Sequence, residues 1–438
     1  MTHKFVRRYG CRKILSGIVA RLLMTGLSAV IAGAAAANAQ SYSTPTLRSP
    51  RLGAVSGVIG LDYTPEARCS DNNWSTTTPV ACNPQLSFSC TNPSLSFCPA
   101  SCQTCYNDDL TFLQNNLNVS TITAYQPNYY ILTAAHNLNV HVMQGLFNDA
   151  IPSLAAPNSA TNCTFAGSPI PLCGSNYAAA MLDGACGATT PWNPATFCSG
   201  GAYVEPLGPF IQAGTIFAIQ LGNEAFNTMV NNQLVTVSMI SSAANTLRTA
   251  LDARGFNNIP IVVSLVLGQE KTVCATGSPP AGVDYIASHP YCNFVASVPP
   301  MWPNTGDQCW QQVQTLFRTN SVNYCGASHT FIGETGYNTG CPNDISPAPS
   351  TLVSYEQAFI KDLVLTTCGK VSVSGFPTFL FAYSDVCPAG GCLPGCSGEP
   401  KEGNGYFGIF HTQGYGTQGP LVAKFSPVPS LACTTPLR

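Results

Sequence analysis

Charge is scarce in this chain: Asp, Glu, Lys and Arg make up 9 % of 438 residues, with 18 basic against 20 acidic side chains. No Lys/Arg cluster stands outside the first residues, so the basic surface that holds a nucleic acid is missing and no nucleic-acid partner is expected. Motifs are missing as well. There is no Gly-x-Ser-x-Gly elbow of a serine hydrolase and no Gly-rich phosphate loop after a strand. His136 and His141 lie five apart with no Glu in the place a metalloprotease helix requires; they read as helix-surface and strand residues. Cys98, Cys102 and Cys105 form a tight group, but no paired Cys-x-x-Cys or His-x-x-x-His set completes a tetrahedral zinc site. Neither a metal nor a cofactor is expected.

Long apolar runs are also few. One, about Leu22 to Ala37, follows Lys4, Arg7, Arg8, Arg12 and Lys13 and ends in Ala37-Asn38-Ala39. A basic start, an apolar stretch too short to span a bilayer comfortably and a small-x-small site predict a signal peptide over residues 1–39. The expected product is a secreted chain, extracellular or in a cell wall, or periplasmic in a bacterial host, with no membrane anchor after cleavage. It keeps 12 basic and 20 acidic residues, or −8, and draws most of its polarity from Asn, Ser, Thr and Gln. Such a surface suits a neutral polar substrate.

What the chain has in quantity is cysteine, proline and glycine: 21, 34 and 38. Only Cys11 lies in the leader, and the remaining 20 thiols, in a chain marked for an oxidising compartment, read as disulfides. Many gather in three stretches, about 65–107 (Cys69, Cys82, Cys90, Cys98, Cys102, Cys105), about 152–212 (Cys163, Cys173, Cys186, Cys198) and about 386–405 (Cys387, Cys392, Cys396). Local staples reduce the entropic cost of ordering long loops, so these stretches are expected to be disulfide-rich insertions that wall a groove.

Between the insertions, apolar runs alternate with helical patterns, which predicts parallel strands joined by helices. The runs are Val55–Tyr63, Thr121–Tyr125, Val140–Phe147, Phe217–Leu221, Ile259–Leu267, Val283–Ser288, Thr330–Ile332 and Phe376–Tyr383. Helical spacing is clearest at Val237, Ile240, Ala244, Leu247 and Leu251, with Gly255 placed to end the helix. Trp310, Val313 and Phe317 follow Asp307 as an N-cap, and Leu352, Tyr355, Phe359 and Leu363 repeat the pattern. Eight such units predict an α/β fold, a (β/α)8 TIM barrel, over residues 40–438 as a single domain. A monomer is expected.

Two carboxylates stand where apolar strands empty: Glu224 after the fourth run and Glu334 after the seventh. A charge is costly in such a place, so the pair suggests a general acid and a nucleophile, or a base, facing one glycosidic bond. Strands four and seven lie across the bore of a barrel. A gap of about 5–5.5 Å would fit retention and about 6.5–9.5 Å inversion. Tyr63, Tyr125, Tyr291 and Tyr337, all expected near strand ends, are candidates to stack on sugar faces. His289 is expected to pack or to cap its strand, with orienting a neighbouring group as the alternative.

The ordered set Gly222-Asn223-Glu224, His289-Pro290-Tyr291, Gly333-Glu334-Thr335-Gly336 and Phe407-Gly408-Ile409-Phe410, with Val58 to Tyr63 and Ile122 to Tyr125, resembles glycoside hydrolase family 17, the β-1,3-glucanases. The resemblance implies a retaining enzyme acting on β-1,3-glucan, with Glu224 as acid/base, Glu334 as nucleophile and Asn223 bonding the sugar beside the reacting carbon. The acid must carry its proton at the working pH, while the nucleophile stays ionised among hydrogen-bond donors. The chain departs from the family pattern at Tyr337-Asn338-Thr339, where Trp-Pro-Ser is usual, and at Thr123, where Arg is common. Two alternatives stand beside hydrolysis: a β-1,3-glucanosyltransferase working on cell-wall glucan through the same intermediate, and a non-catalytic glucan-binding barrel.

Overall fold

A computed structural model of the protein describes residues 59–63, 100–160, 163–165, 168–169, 172–186, 190–191, 203–204, 206–292, 305–337, 349–368, 377–382, 408–412 and 421–432. The expected signal peptide and the insertion at about 386–405 lie outside the described residues.

Eight parallel strands close a barrel in which each strand pairs with its neighbours in sequence and the last pairs with the first. They are β1 (Ile59–Asp62), β2 (Thr121–Ala124), β3 (His141–Gly145), β4 (Ile216–Gln220), β5 (Ile261–Val266), β6 (Tyr285–His289), β7 (Thr330–Thr335) and β8 (Thr378–Leu380). The (β/α)8 barrel expected from the sequence is therefore the fold. Strand alternation separates two apolar populations. Met143, Phe217, Ala218, Val262, Ala287, Phe331 and Phe379 fill the bore. Ile59, Leu61, Ile122, Val142, Ile219, Ile261, Leu265 and Ile332 pack outward, beneath the helices.

The principal helices are α1 (Ala100–Leu117), α2 (Tyr129–Asn137), α3 (Ala150–Ala155), α4 (Gly174–Asp183), α5 (Val237–Asp252), α6 (Gly306–Phe317) and α7 (Pro349–Thr367). The α5 stripe read from the sequence is buried: Ile240, Ala244, Leu247 and Leu251 are each fully covered, with Ala243 beside them. Truncating Leu247 to Ala would cost about 2–5 kcal/mol. Thr236 caps this helix by accepting from the Met239 N–H at 3.3 Å. The cap of α6 is Thr305, not the expected Asp307: Thr305 and Gln308 satisfy each other's backbone N–H groups in a capping box, and Asp307 falls in the first turn. Trp310 of α6 meets Phe359 of α7 edge-on at 5.6 Å and donates its indole N–H to Thr366 at 3.1 Å.

Two insertion boundaries differ from expectation. Residues 100–107 belong to α1 rather than to a loop, because Tyr106, Leu110, Leu113 and Leu117 form a buried face. The stretch 152–212 holds α4, a short hairpin (Thr164–Phe165 with Ser168–Pro169) and a small three-stranded sheet. Cys163 is paired with Cys173 inside that stretch, but Cys274–Cys325 and Cys292–Cys309 join connections of the barrel itself. Among the described residues, no helix is long and apolar enough to cross a membrane.

Candidate active site

Beyond β4 the chain turns sharply, with Gly222 at φ 71° and Glu224 at φ 50°. A Cβ on Gly222 would meet Asn148 Oδ1 and Ile151 Cδ1 at 2.9 Å each, so glycine suits both the dihedral and the space. Glu224 is the unusual member, since a side chain in the left-handed region is disfavoured by about 1–2 kcal/mol. Polar contacts hold it there. The Asn223 N–H donates to Asn148 Oδ1 at 2.6 Å, and the Glu224 N–H donates to Ser264 Oγ on β5 at 2.9 Å. Ser264 Oγ and Gln220 Nε2 in turn donate to Asn223 Oδ1 at 3.0 and 3.1 Å.

Across the bore, β7 carries Glu334. Its pairing with β8 shifts between Ile332 and Thr335, and the Glu334 side chain stands at that irregularity with 12 % of its surface exposed. Both oxygens are held by phenols. Tyr291 donates to Oε1 at 2.5 Å and Tyr125 to Oε2 at 2.7 Å. Burial and the neighbouring carboxylate push both phenols well above the ordinary tyrosine value, so they remain protonated donors.

His289, at the end of β6, joins the two acids. Its Nδ1 lies 2.7 Å from Glu224 Oε1 and 3.4 Å from Glu334 Oε2. Burial alone would lower the imidazole pKa; Glu334, Glu224 and Glu270 together outweigh it, and the net direction is upward from 6.5. The ring fits because residue 333 is glycine: a Cβ there would stand 2.5 Å from Ala287 Cβ and 3.2 Å from His289 Nε2. One donor atom from each of Glu224, His289 and Glu334 lies within 4.8 Å of the others. An ion could be reached at those distances, but Glu334 already receives two O–H donors, an arrangement that stabilises a free carboxylate rather than offering lone pairs to a metal.

The structure thus brings Glu224, Glu334, Asn223, Tyr125 and Tyr291 to one place. It takes Tyr63 and Tyr337 elsewhere. Asp62 faces the bore, so the next residue on the strand faces out, and the Tyr63 hydroxyl donates to Asp109 of α1 at 3.0 Å. Tyr337, two residues beyond β7, is 2 % exposed and packs against Tyr355 and Phe359 of α7. His289 bridges the two acids, which matches the orienting alternative rather than the packing role expected first, and Ser264, Gln220 and Asn148 were not singled out in the sequence. Alternation could have found the first two: Ser264 and Gln220 lie two residues beyond inward Val262 and Ala218 on their strands. His136 and His141 bond Thr215 Oγ1 and the Gly214 carbonyl, structural roles as expected.

No protein-family profile and no curated protein matches the chain by sequence. Among solved structures, a β-1,3-glucanase and allergen of Cryptomeria japonica pollen is 16 % identical, with a TM-score of 0.47 over 81 % of this chain and 95 % of that one. An endo-laminarinase from Formosa is 15 % identical, with a TM-score of 0.45 over 81 % and 83 %. An active-site mutant of a Rhizomucor miehei β-1,3-glucanosyltransferase, in complex with laminaritriose, is 11 % identical, with a TM-score of 0.44 over 84 % and 99 %. At these values the neighbours do not by themselves assign an activity to this chain.

Proposed function

We propose that the chain is a glycoside hydrolase that cleaves β-1,3-glucan with retention, Glu334 acting as nucleophile and Glu224 as acid/base. The observation that carries this reading is the unequal setting of two carboxylates with oxygens within 4.8 Å of each other. That approach fits the carboxyl separation of about 5–5.5 Å of retaining enzymes better than the gap of about 6.5–9.5 Å that inversion requires.

The two acids are equipped for different work. Two phenol donors hold Glu334 as an anion with a fixed orientation, suited to attack the anomeric carbon. Glu224 is 36 % exposed and shares a hydrogen bond with His289, so the pair holds a proton and can exchange it with the leaving glycosidic oxygen and then with water. Departure of the leaving sugar gives a glycosyl ester on Glu334. Glu224 then draws a proton from a water that attacks the same carbon and frees the carboxylate. Asn223 has its carbonyl oxygen committed to Ser264 and Gln220, which leaves the amide NH2 to donate to a hydroxyl beside the reacting carbon.

The test is laminarin hydrolysis by the wild type, Glu334→Ala and Glu224→Gln. The expected result is release of reducing sugar by the wild type, loss in both variants and azide rescue of Glu224→Gln on an activated aryl glycoside. A wild type that binds laminarin as Glu334→Ala does, without cleaving it, refutes the reading in favour of a binding barrel. Lengthened laminari-oligosaccharides among the products would instead assign transfer.

A further inference from the structure

Asp62 plays no part in the chemistry proposed above, yet it lies on the inward face of β1 at the floor of the site. It is 0 % exposed and pairs in register with Thr123 of β2. Neither of its oxygens accepts a hydrogen bond of good geometry. Among the described residues, the groups that face it are Glu334 of β7, Thr123 and Tyr125 from β2 and its end, and Tyr291 after β6, with no cation among them.

An ionised carboxylate here would sit next to a second anion without counter-charge, with only the hydroxyls of Thr123 and Tyr125 beside it, in a medium where like charges repel strongly. Tyr125 is beside it but has a single hydroxyl proton, which is directed to Glu334 Oε2 at 2.7 Å. The phenol oxygen can therefore only accept from Asp62, not donate to it.

We propose that Asp62 is a positioning residue: a neutral carboxylic acid that donates its proton to the Tyr125 oxygen, so that Asp62, Tyr125 and Glu334 form a relay that holds and polarises the donor of the nucleophile. The tuning role rests on the assignment of Glu334 above; the protonation of Asp62 does not. Burial, and then the charge of Glu334, push the Asp62 carboxyl well above the ordinary value of 3.8, while Thr123 and Tyr125 pull it down by less. Chains of this kind polarise along their length, so the benefit arrives at Glu334 although Asp62 never touches the substrate.

Two substitutions separate donor from charge. Asp62→Asn keeps a neutral donor, and Asp62→Leu keeps the volume without one. In the infrared difference spectrum between wild type and Asp62→Asn at neutral pH, a carboxylic-acid C=O stretch is expected in the wild type and lost in the variant. The carboxylate stretch of Glu334, isolated by a parallel Glu334→Gln difference in each background, should appear at the same pH in Asp62→Asn. In Asp62→Leu it should appear about one pH unit higher, with the acid limb of kcat/KM on laminarin moving alike. Absence of the acid C=O stretch overturns the proposal, as does a downward move of the Glu334 stretch in Asp62→Asn, which would mean that a charge had been removed. The infrared readings stand even if laminarin is not cleaved, an outcome that refutes the hydrolase reading alone. Should Asp62→Leu fail to fold, the asparagine spectra still decide the protonation state.

Discussion

Replacing Tyr291 by Phe removes one oxygen and leaves the ring that packs around it, so it isolates the hydrogen bond to Glu334. That bond is 2.5 Å long and belongs to a side chain 8 % exposed. Hydrogen bonds to charged groups contribute about 1.5–3 kcal/mol, equivalent to about one to two pH units or about 10- to 150-fold in rate. The direction depends on which state the phenol favours. It stabilises the anion over the acid, so its loss should move the acid limb of kcat/KM to higher pH by that amount. Activity should fall steeply on the acid side and much less on the alkaline plateau. Tyr125→Phe should do the same more weakly, because its bond is longer, 2.7 Å. In the double variant both phenol donors are gone and, of the three groups, only the His289 ring, at 3.4 Å, still faces Glu334, so the joint shift should exceed the sum of the single ones. Initial rates on laminarin from acid to alkaline pH, with circular dichroism to confirm folding, measure all four corners of the cycle. If Tyr291→Phe leaves the acid limb where it was, the phenols do not set the ionisation of the nucleophile and the argument fails.

Gly333→Ala should destabilise the fold by about 1–3 kcal/mol, read in a urea melt, because the new Cβ meets Ala287 at 2.5 Å; it should also lower kcat by displacing His289. His289→Gln should reduce activity by about 10- to 100-fold. Its effect on stability carries a definite sign: the folded-state imidazole pKa lies above 6.5, so the contribution of the charged ring is complete below pH 6.5 and fades as pH rises through the folded value. The difference in Tm between wild type and variant should therefore be largest in acid and narrow towards alkaline pH. Replacing both Cys274 and Cys325 by Ser opens a link with a sequence separation of 51, for which chain entropy gives up to about 4 kcal/mol, measurable as a fall in the denaturant midpoint.

The barrel was legible because its strands carry apolar side chains on both faces and read as continuous runs. That same property hid which way each residue points. Tyr63 and Tyr125 look alike at the ends of their strands, and only the parity set by Asp62 and Thr123 separates one that lies under α1 from one that reaches Glu334. The predicted seventh strand ended at Ile332 because Gly333 and Glu334 resemble a strand terminus; ladder pairing continues to Thr335 through a shift in register that no local residue pattern announces. The catalytic candidates were visible as charges in costly places. Their supports, Ser264, Gln220 and Asn148, were not, because a hydroxyl or amide gains its meaning from a partner tens of residues away.

One side of the barrel is built unlike the rest. Where other crossovers lay a long apolar helix over the strands, the connection from β5 to β6 has a single turn, Glu270–Val273. Its anchor is a fully buried carboxylate: Glu270 accepts from Ser288 of β6 at 2.5 Å, from Ser321 at 2.8 Å and from the Gly268 N–H at 2.7 Å, and the Cys274–Cys325 link follows immediately. Ser288 immediately precedes His289, so this seam and the histidine share a strand. A chain made in a reducing cell would fold with its thinnest wall unstitched at the point that aims the imidazole. Loss of activity should then precede loss of the barrel, and an assay for correct oxidation could be read from catalysis before any change in secondary structure appears.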